Sequence, residues 1–73
     1  MNENEIILKQ LGQKLKQLRL NNYLSQEKLA EITGLDRTYI SGLERGKRNP
    51  SYLIIRRISH VLNIDEQELF NLG

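Results

Sequence analysis

Leu8, Leu11, Leu15 and Leu18 return at intervals of three and four residues, and at about 100° per residue they fall in one narrow stripe. Only a helix gathers them on one side. Residues 5 to 21 are therefore predicted to form an amphipathic first helix ending near Asn21 and Asn22. Ser25 suits the N-cap of a second helix through Ile32, with Leu29 and Ala30 inward, although Lys28 at the N3 position leaves a capping box incomplete. Gly34 can end that helix in a left-handed conformation. Asp36 can cap a third helix running to about Arg45, closed by Gly46. Ser51, after the only proline, can cap a fourth in which Ile55, Ile58 and Leu62 repeat at helical spacing. Asp65 with Glu68 three residues later has the pattern of a capping box for a short fifth helix containing Leu69 and Phe70. No strand alternation, internal repeat or low-complexity stretch competes. Five short helices with short links imply one compact all-α domain over residues 1–73.

A chain of 73 residues buries only about 60% of its unfolded surface, so its core is modest and a second copy would help it. The absence of cysteine excludes disulfides and thiolate metal sites, and a single histidine, His60, argues against a histidine-based one. His60 itself is expected on the surface of the fourth helix. Nothing resembles a nucleophile with its base or a glycine-rich phosphate loop, so neither an enzyme nor a cofactor is expected. No apolar run nears the roughly 20 residues of a membrane span, and MNENEIILKQ is too polar for a secretory signal, which points to the cytoplasm.

The net charge is only +2, but it is unevenly spread. Between Arg37 and Arg57 six basic residues, Arg37, Arg45, Lys47, Arg48, Arg56 and Arg57, face a single acid, Glu44. Acids gather instead at Asp65, Glu66 and Glu68. A basic middle suits an anionic partner, though solvated helix faces carry such runs as well. On the third helix Ile40 and Leu43, one turn apart, point inward. Thr38, Gly42 and Arg45 then take the opposite face, with Arg37 and Ser41 at its border. Such a short, donor-rich face can enter a DNA major groove, where small residues at Ser41 and Gly42 would let the backbone come close.

Gln26, Ala30, Gly34, Ile40 and Leu43 stand at the spacing of the helix-turn-helix domains of the phage repressor and Cro type, which residues 8 to 70 resemble. The resemblance implies a lambda-repressor-like five-helix fold with the helix-turn-helix at about 25–45. Within that family, "LDRTYISGLERGKRNPS" is most similar to the controller proteins of restriction-modification systems, dimers that regulate their own promoter and the endonuclease gene. It implies base-edge contacts from Arg37, Thr38 and Ser41, and phosphate contacts from Gln26, Tyr39, Arg48 and Asn49. Lys47, in the loop beside the DNA-facing helix, joins the phosphate set. Tyr39 also borders the inward side and can equally serve as a packing residue. Gly42 departs from phage repressors that carry a long polar side chain there, so no base contact is assigned to it.

Arg19 falls on the apolar stripe of the first helix, and Glu44 sits nearer the inward side of the third. Buried charges need partners, and the resemblance implies that these two pair across the core. Glu27 and Glu31, one turn apart on the second helix, either solvate that face or, as the resemblance implies, touch RNA polymerase. A two-fold dimer on a palindromic operator would set two recognition helices in successive major grooves about 34 Å apart. Val61, Ile64, Leu69, Phe70 and Leu72 are its expected interface, within a region of about 58–73, unless Leu69 and Phe70 simply close the monomer core. A phage-type repressor, or an antitoxin that binds a protein toxin, is the alternative, although antitoxins usually carry a toxin-binding segment beyond the fifth helix.

Overall fold

The computed structural model describes residues 1–72. Five helices follow one another: α1 (Glu3–Asn21), α2 (Gln26–Thr33), α3 (Arg37–Glu44), α4 (Tyr52–Val61) and α5 (Glu66–Phe70). Among the described residues there is no strand, and the chain is all-α as its periodicity implies. Helix α1 begins two residues earlier than its apolar stripe suggests. Asn2 explains the difference: its side chain accepts a hydrogen bond from the Glu5 amide at 2.8 Å, and Glu3 and Glu5 place negative charge at the positive end of the helix dipole. The Ser25 hydroxyl caps α2 by accepting from the Lys28 amide at 2.9 Å, and Ser51 caps α4 by accepting from the Ile54 amide at 3.2 Å. Helix α2 runs one residue beyond Ile32, because the Thr33 hydroxyl donates to the buried carbonyl of Leu29 at 2.7 Å and so satisfies itself inside the helix. Gly34 then turns the chain at φ 74°.

Two cap expectations change. Asp36 occupies the N-cap position of α3, but its carboxylate makes no capping hydrogen bond. Asp65 accepts from the Gln67 amide at 2.8 Å, so the local bond at the start of α5 is an aspartate turn and not the reciprocal box expected with Glu68.

Leu15, Leu18, Leu29, Ala30, Ile40, Leu43, Ile55, Ile58, Leu62 and Leu69 form one buried cluster drawn from all five helices. Helix α1 crosses α3 at Gly12. A Cβ built there would lie 2.6 Å from the Glu44 carbonyl oxygen, so the two backbones touch where no side chain fits. Helix α5 is tied to α4 at the surface as well: the Tyr52 hydroxyl donates to Glu66 Oε1 at 2.7 Å, and Arg56 Nε lies 3.6 Å from Glu66 Oε2. The Glu66 carboxylate that accepts this bond raises the Tyr52 phenol above its ordinary value of 10.0.

Candidate nucleic-acid interface

Helix α3 packs on α1 and α2 through Ile40, Leu43 and Glu44 and leaves Arg37, Thr38 and Arg45 exposed, with Ser41 half-buried at the margin. Its back is held by a network of charge. Arg19 Nε donates to Glu44 Oε2 at 2.6 Å, and Arg19 Nη2 donates to Glu44 Oε1 at 3.0 Å. Arg19 Nη1 donates to the Leu24 carbonyl at 2.7 Å, which brings the α1–α2 link into the same network. The pair is buried, with Arg19 6% and Glu44 8% exposed, and every buried side-chain polar atom among the described residues has a hydrogen-bond partner. Two parallel bonds in a buried site fix direction as well as distance, so α3 is oriented by this fork.

Gln26 belongs to the network too. Its side-chain nitrogen donates to Glu44 Oε1 at 3.0 Å, a bond that sequence periodicity gives no way to foresee because it joins the first residue of α2 to the last of α3. One amide hydrogen is thereby committed inward, and the second makes no side-chain hydrogen bond among the described residues. Tyr39 is half-buried and packs against the core, which places its ring inward from the exposed face of α3. Lys47, Arg48 and Asn49 are all exposed in the loop that follows. Glu27 and Glu31 are exposed on α2, where Glu31 lies 3.4 Å from the Lys28 ammonium, a surface pair of little energetic weight.

Gly42 requires a correction. The helical wheel puts it outward beside Thr38 and Arg45, yet it is buried, and the cover is Arg48. A Cβ at Gly42 would lie 2.9 Å from Arg48 Cγ, 3.4 Å from its Nε and 3.7 Å from its Cδ. The cause is the chain reversal after α3: Gly46 adopts φ 75°, the Lys47 amide donates to the Gly42 carbonyl at 2.8 Å, and Arg48 folds back across the helix. A wheel drawn for one helix has no information about a loop returning over it.

Leu69 is the second correction. It is 1% exposed and belongs to the monomer core, so it is not surface for a partner. Val61 and Ile64 are half-buried against the same core, Leu72 is half-buried, and Phe70 remains 52% exposed. Phe70 and Leu72 line an apolar groove of about 290 Å³ with Ile7, Leu8, Leu11, Pro50, Tyr52 and Ile55. Gly73, the last residue of the expected dimerisation region, lies outside the described residues.

Two short helices joined by a glycine turn, the second held by a buried fork and turning a polar, basic face outward, define a helix-turn-helix DNA-binding domain. Residues 15–69 match the helix-turn-helix family model. The control protein C.BamHI of Bacillus amyloliquefaciens is 48% identical over 61 residues, which cover 82% of this chain and 75% of that protein. The crystal structure of the restriction-modification controller protein C.AhdI from Aeromonas hydrophila superposes with a TM-score of 0.84 at 48% identity, covering 86% of this chain and 96% of that one. The biofilm regulator SinR, crystallised in complex with DNA, superposes at 0.80 with 34% identity over 84% of this chain and 98% of that one. The chain belongs to the helix-turn-helix family of Cro/C1-type transcriptional regulators and is a DNA-binding regulator.

Proposed function

We propose that this chain is the homodimeric controller of a restriction-modification system, binding a palindromic operator upstream of its own gene in the cytoplasm. There it would activate and repress its own promoter, and so time endonuclease expression. The observation that carries this reading is the 48% identity shared with both C.BamHI and C.AhdI across nearly the whole domain. The role requires binding alone, with no catalytic group and no cofactor.

On this reading Arg37 and Thr38, exposed at the start of α3, read base edges with Ser41 beside them. Lys47, Arg48, Asn49, Gln26 and the Tyr39 hydroxyl hold phosphates and set the register. Glu27 and Glu31 offer RNA polymerase an exposed acidic edge. Phe70 and Leu72, with Val61 and Ile64 at the margin, supply the apolar patch for a second copy.

A titration of the protein against the duplex upstream of its gene, beside a scrambled duplex at two salt concentrations, tests the reading. Tight, cooperative and salt-sensitive binding to the first duplex alone is expected, whereas equal weak binding to both would refute it. In the same assay Arg37→Ala should lose about 1–3 kcal/mol of operator affinity together with discrimination at one base pair. A variant that discriminates as the parent does would remove Arg37 from the reading set. Phe70→Ser should shift the sedimentation coefficient toward the monomer at micromolar concentration and abolish cooperativity, since it puts a hydroxyl in an apolar patch without disturbing the buried core. An unchanged dimer would exclude this face.

A further inference from the structure

Gly42 lies where a helix-turn-helix protein can place a side chain on the exposed face of its second helix, in line with Thr38 and Arg45. In this chain the space above it is filled from elsewhere. All three of the nearest atoms to a Cβ at position 42 belong to Arg48, and they run from Cγ through Cδ to Nε, so the stem of that arginine lies along α3. Arg48 itself is exposed and has no ion pair or side-chain hydrogen bond among the described residues, so its guanidinium is not used to hold the loop in place. What fixes the stem is backbone geometry: the Lys47 amide bonded to the Gly42 carbonyl at 2.8 Å, and the left-handed Gly46 before it.

We propose that Gly42 is a positioning residue for DNA binding: its missing side chain is the seat on which Arg48 lies, so that a loop arginine serves as the side chain position 42 does not carry. A long cationic side chain in a free loop loses rotamer freedom when it binds; one already laid against a helix has surrendered part of it. The seat therefore converts a mobile charge into one delivered to the DNA-facing side of α3. The inference rests on the reading above that Arg48 contacts DNA, and it adds that Gly42 acts through Arg48 and not through close approach of the helix backbone.

Four proteins test it: the parent, Gly42→Ala, Arg48→Ala and the double variant, each titrated with the upstream duplex over a range of salt and each melted by circular dichroism. Gly42→Ala should weaken operator binding about tenfold and flatten the salt dependence by about one phosphate contact, while its melting temperature holds or rises, because alanine favours a helix interior and the methyl meets only a flexible side chain. Arg48→Ala should weaken binding at least as much. The double variant should bind no worse than Arg48→Ala alone, since the seat has no purpose once its occupant is gone. Parental affinity in Gly42→Ala, or losses that add in the double variant, overturns the positioning role while leaving the Arg48 contact intact. Parental affinity in Arg48→Ala refutes the contact itself and the seat with it. A parent protein that does not prefer the upstream duplex refutes the proposed function before either question arises.

Discussion

Replacing Glu44 by alanine is expected to cost about 3–5 kcal/mol of folding free energy, most of what a domain of this size possesses. The loss does not equal the strength of the ion pair. Arg19 would keep its bond to the Leu24 carbonyl but would leave a guanidinium charge, 6% exposed, without a counterion, and Gln26 would lose its acceptor at the same time. Because the carboxylate meets Arg19 through two parallel bonds, no water-filled rearrangement can replace it without opening the contact between α1 and α3. Urea denaturation measures the effect directly: a midpoint shift equivalent to less than about 1 kcal/mol would show that the pair is dispensable. The double variant Arg19→Met with Glu44→Leu separates the two contributions. It removes both charges, so it should recover much of the stability, whereas operator binding should stay weak because the fork that orients α3 is gone.

The need for buried counterions was legible in the sequence because it broke a rule there. A charge on or near an inward helix face is a conflict that only a partner resolves, and Arg19 and Glu44 each posed one; that they resolve each other was implied by the family resemblance, and the structure joins them. Helix boundaries were legible for a similar reason, since Ser25, Gly34 and Ser51 each satisfy or bend backbone at a predictable place. What escaped was whatever depends on a second segment. The seat of Arg48 on Gly42 needs the path of the following loop, and the bond from Gln26 to Glu44 needs the angle between α2 and α3. Leu69 illustrates the same limit on a larger scale: apolar pattern reports that a residue will be covered, not whether its own chain or another copy covers it. Phe70, its neighbour, has the same chemistry and stays half outside. The polar residues of the candidate interface were the easier part, since exposed Arg37 and Thr38 follow from Ile40 and Leu43 pointing the other way on one short helix.

Gly12→Ala should reverse the usual sign of its substitution class. In an exposed helix interior alanine is favoured over glycine by about 1 kcal/mol, yet here the exchange should destabilise by about 3 kcal/mol, near the upper end for forcing one methyl into a packed site. The obstacle is main chain, the carbonyl oxygens of Leu43 and Glu44, the latter 2.6 Å from the new carbon, and carbonyls in the last turn of a helix cannot swing aside as the end of a side chain can. One clue was available in the sequence: Gly12 is four residues after Leu8 and three before Leu15, so a residue that weakens helices sits on the buried stripe, where only close packing justifies it. Gly34→Ala provides the control, because it costs backbone strain at φ 74° but meets nothing within 4 Å. If packing governs position 12, Gly12→Ala should lose clearly more stability than Gly34→Ala in urea, and it should also weaken operator binding under conditions where it remains folded. The second effect follows from the first, since α1 can admit a methyl only by pushing away the end of α3, and Arg37, Thr38 and Arg48 move with that helix. A Gly12→Ala protein as stable as the parent would mean that the two backbones can separate at no cost, and the buried fork between Arg19 and Glu44 would then have to orient α3 by itself.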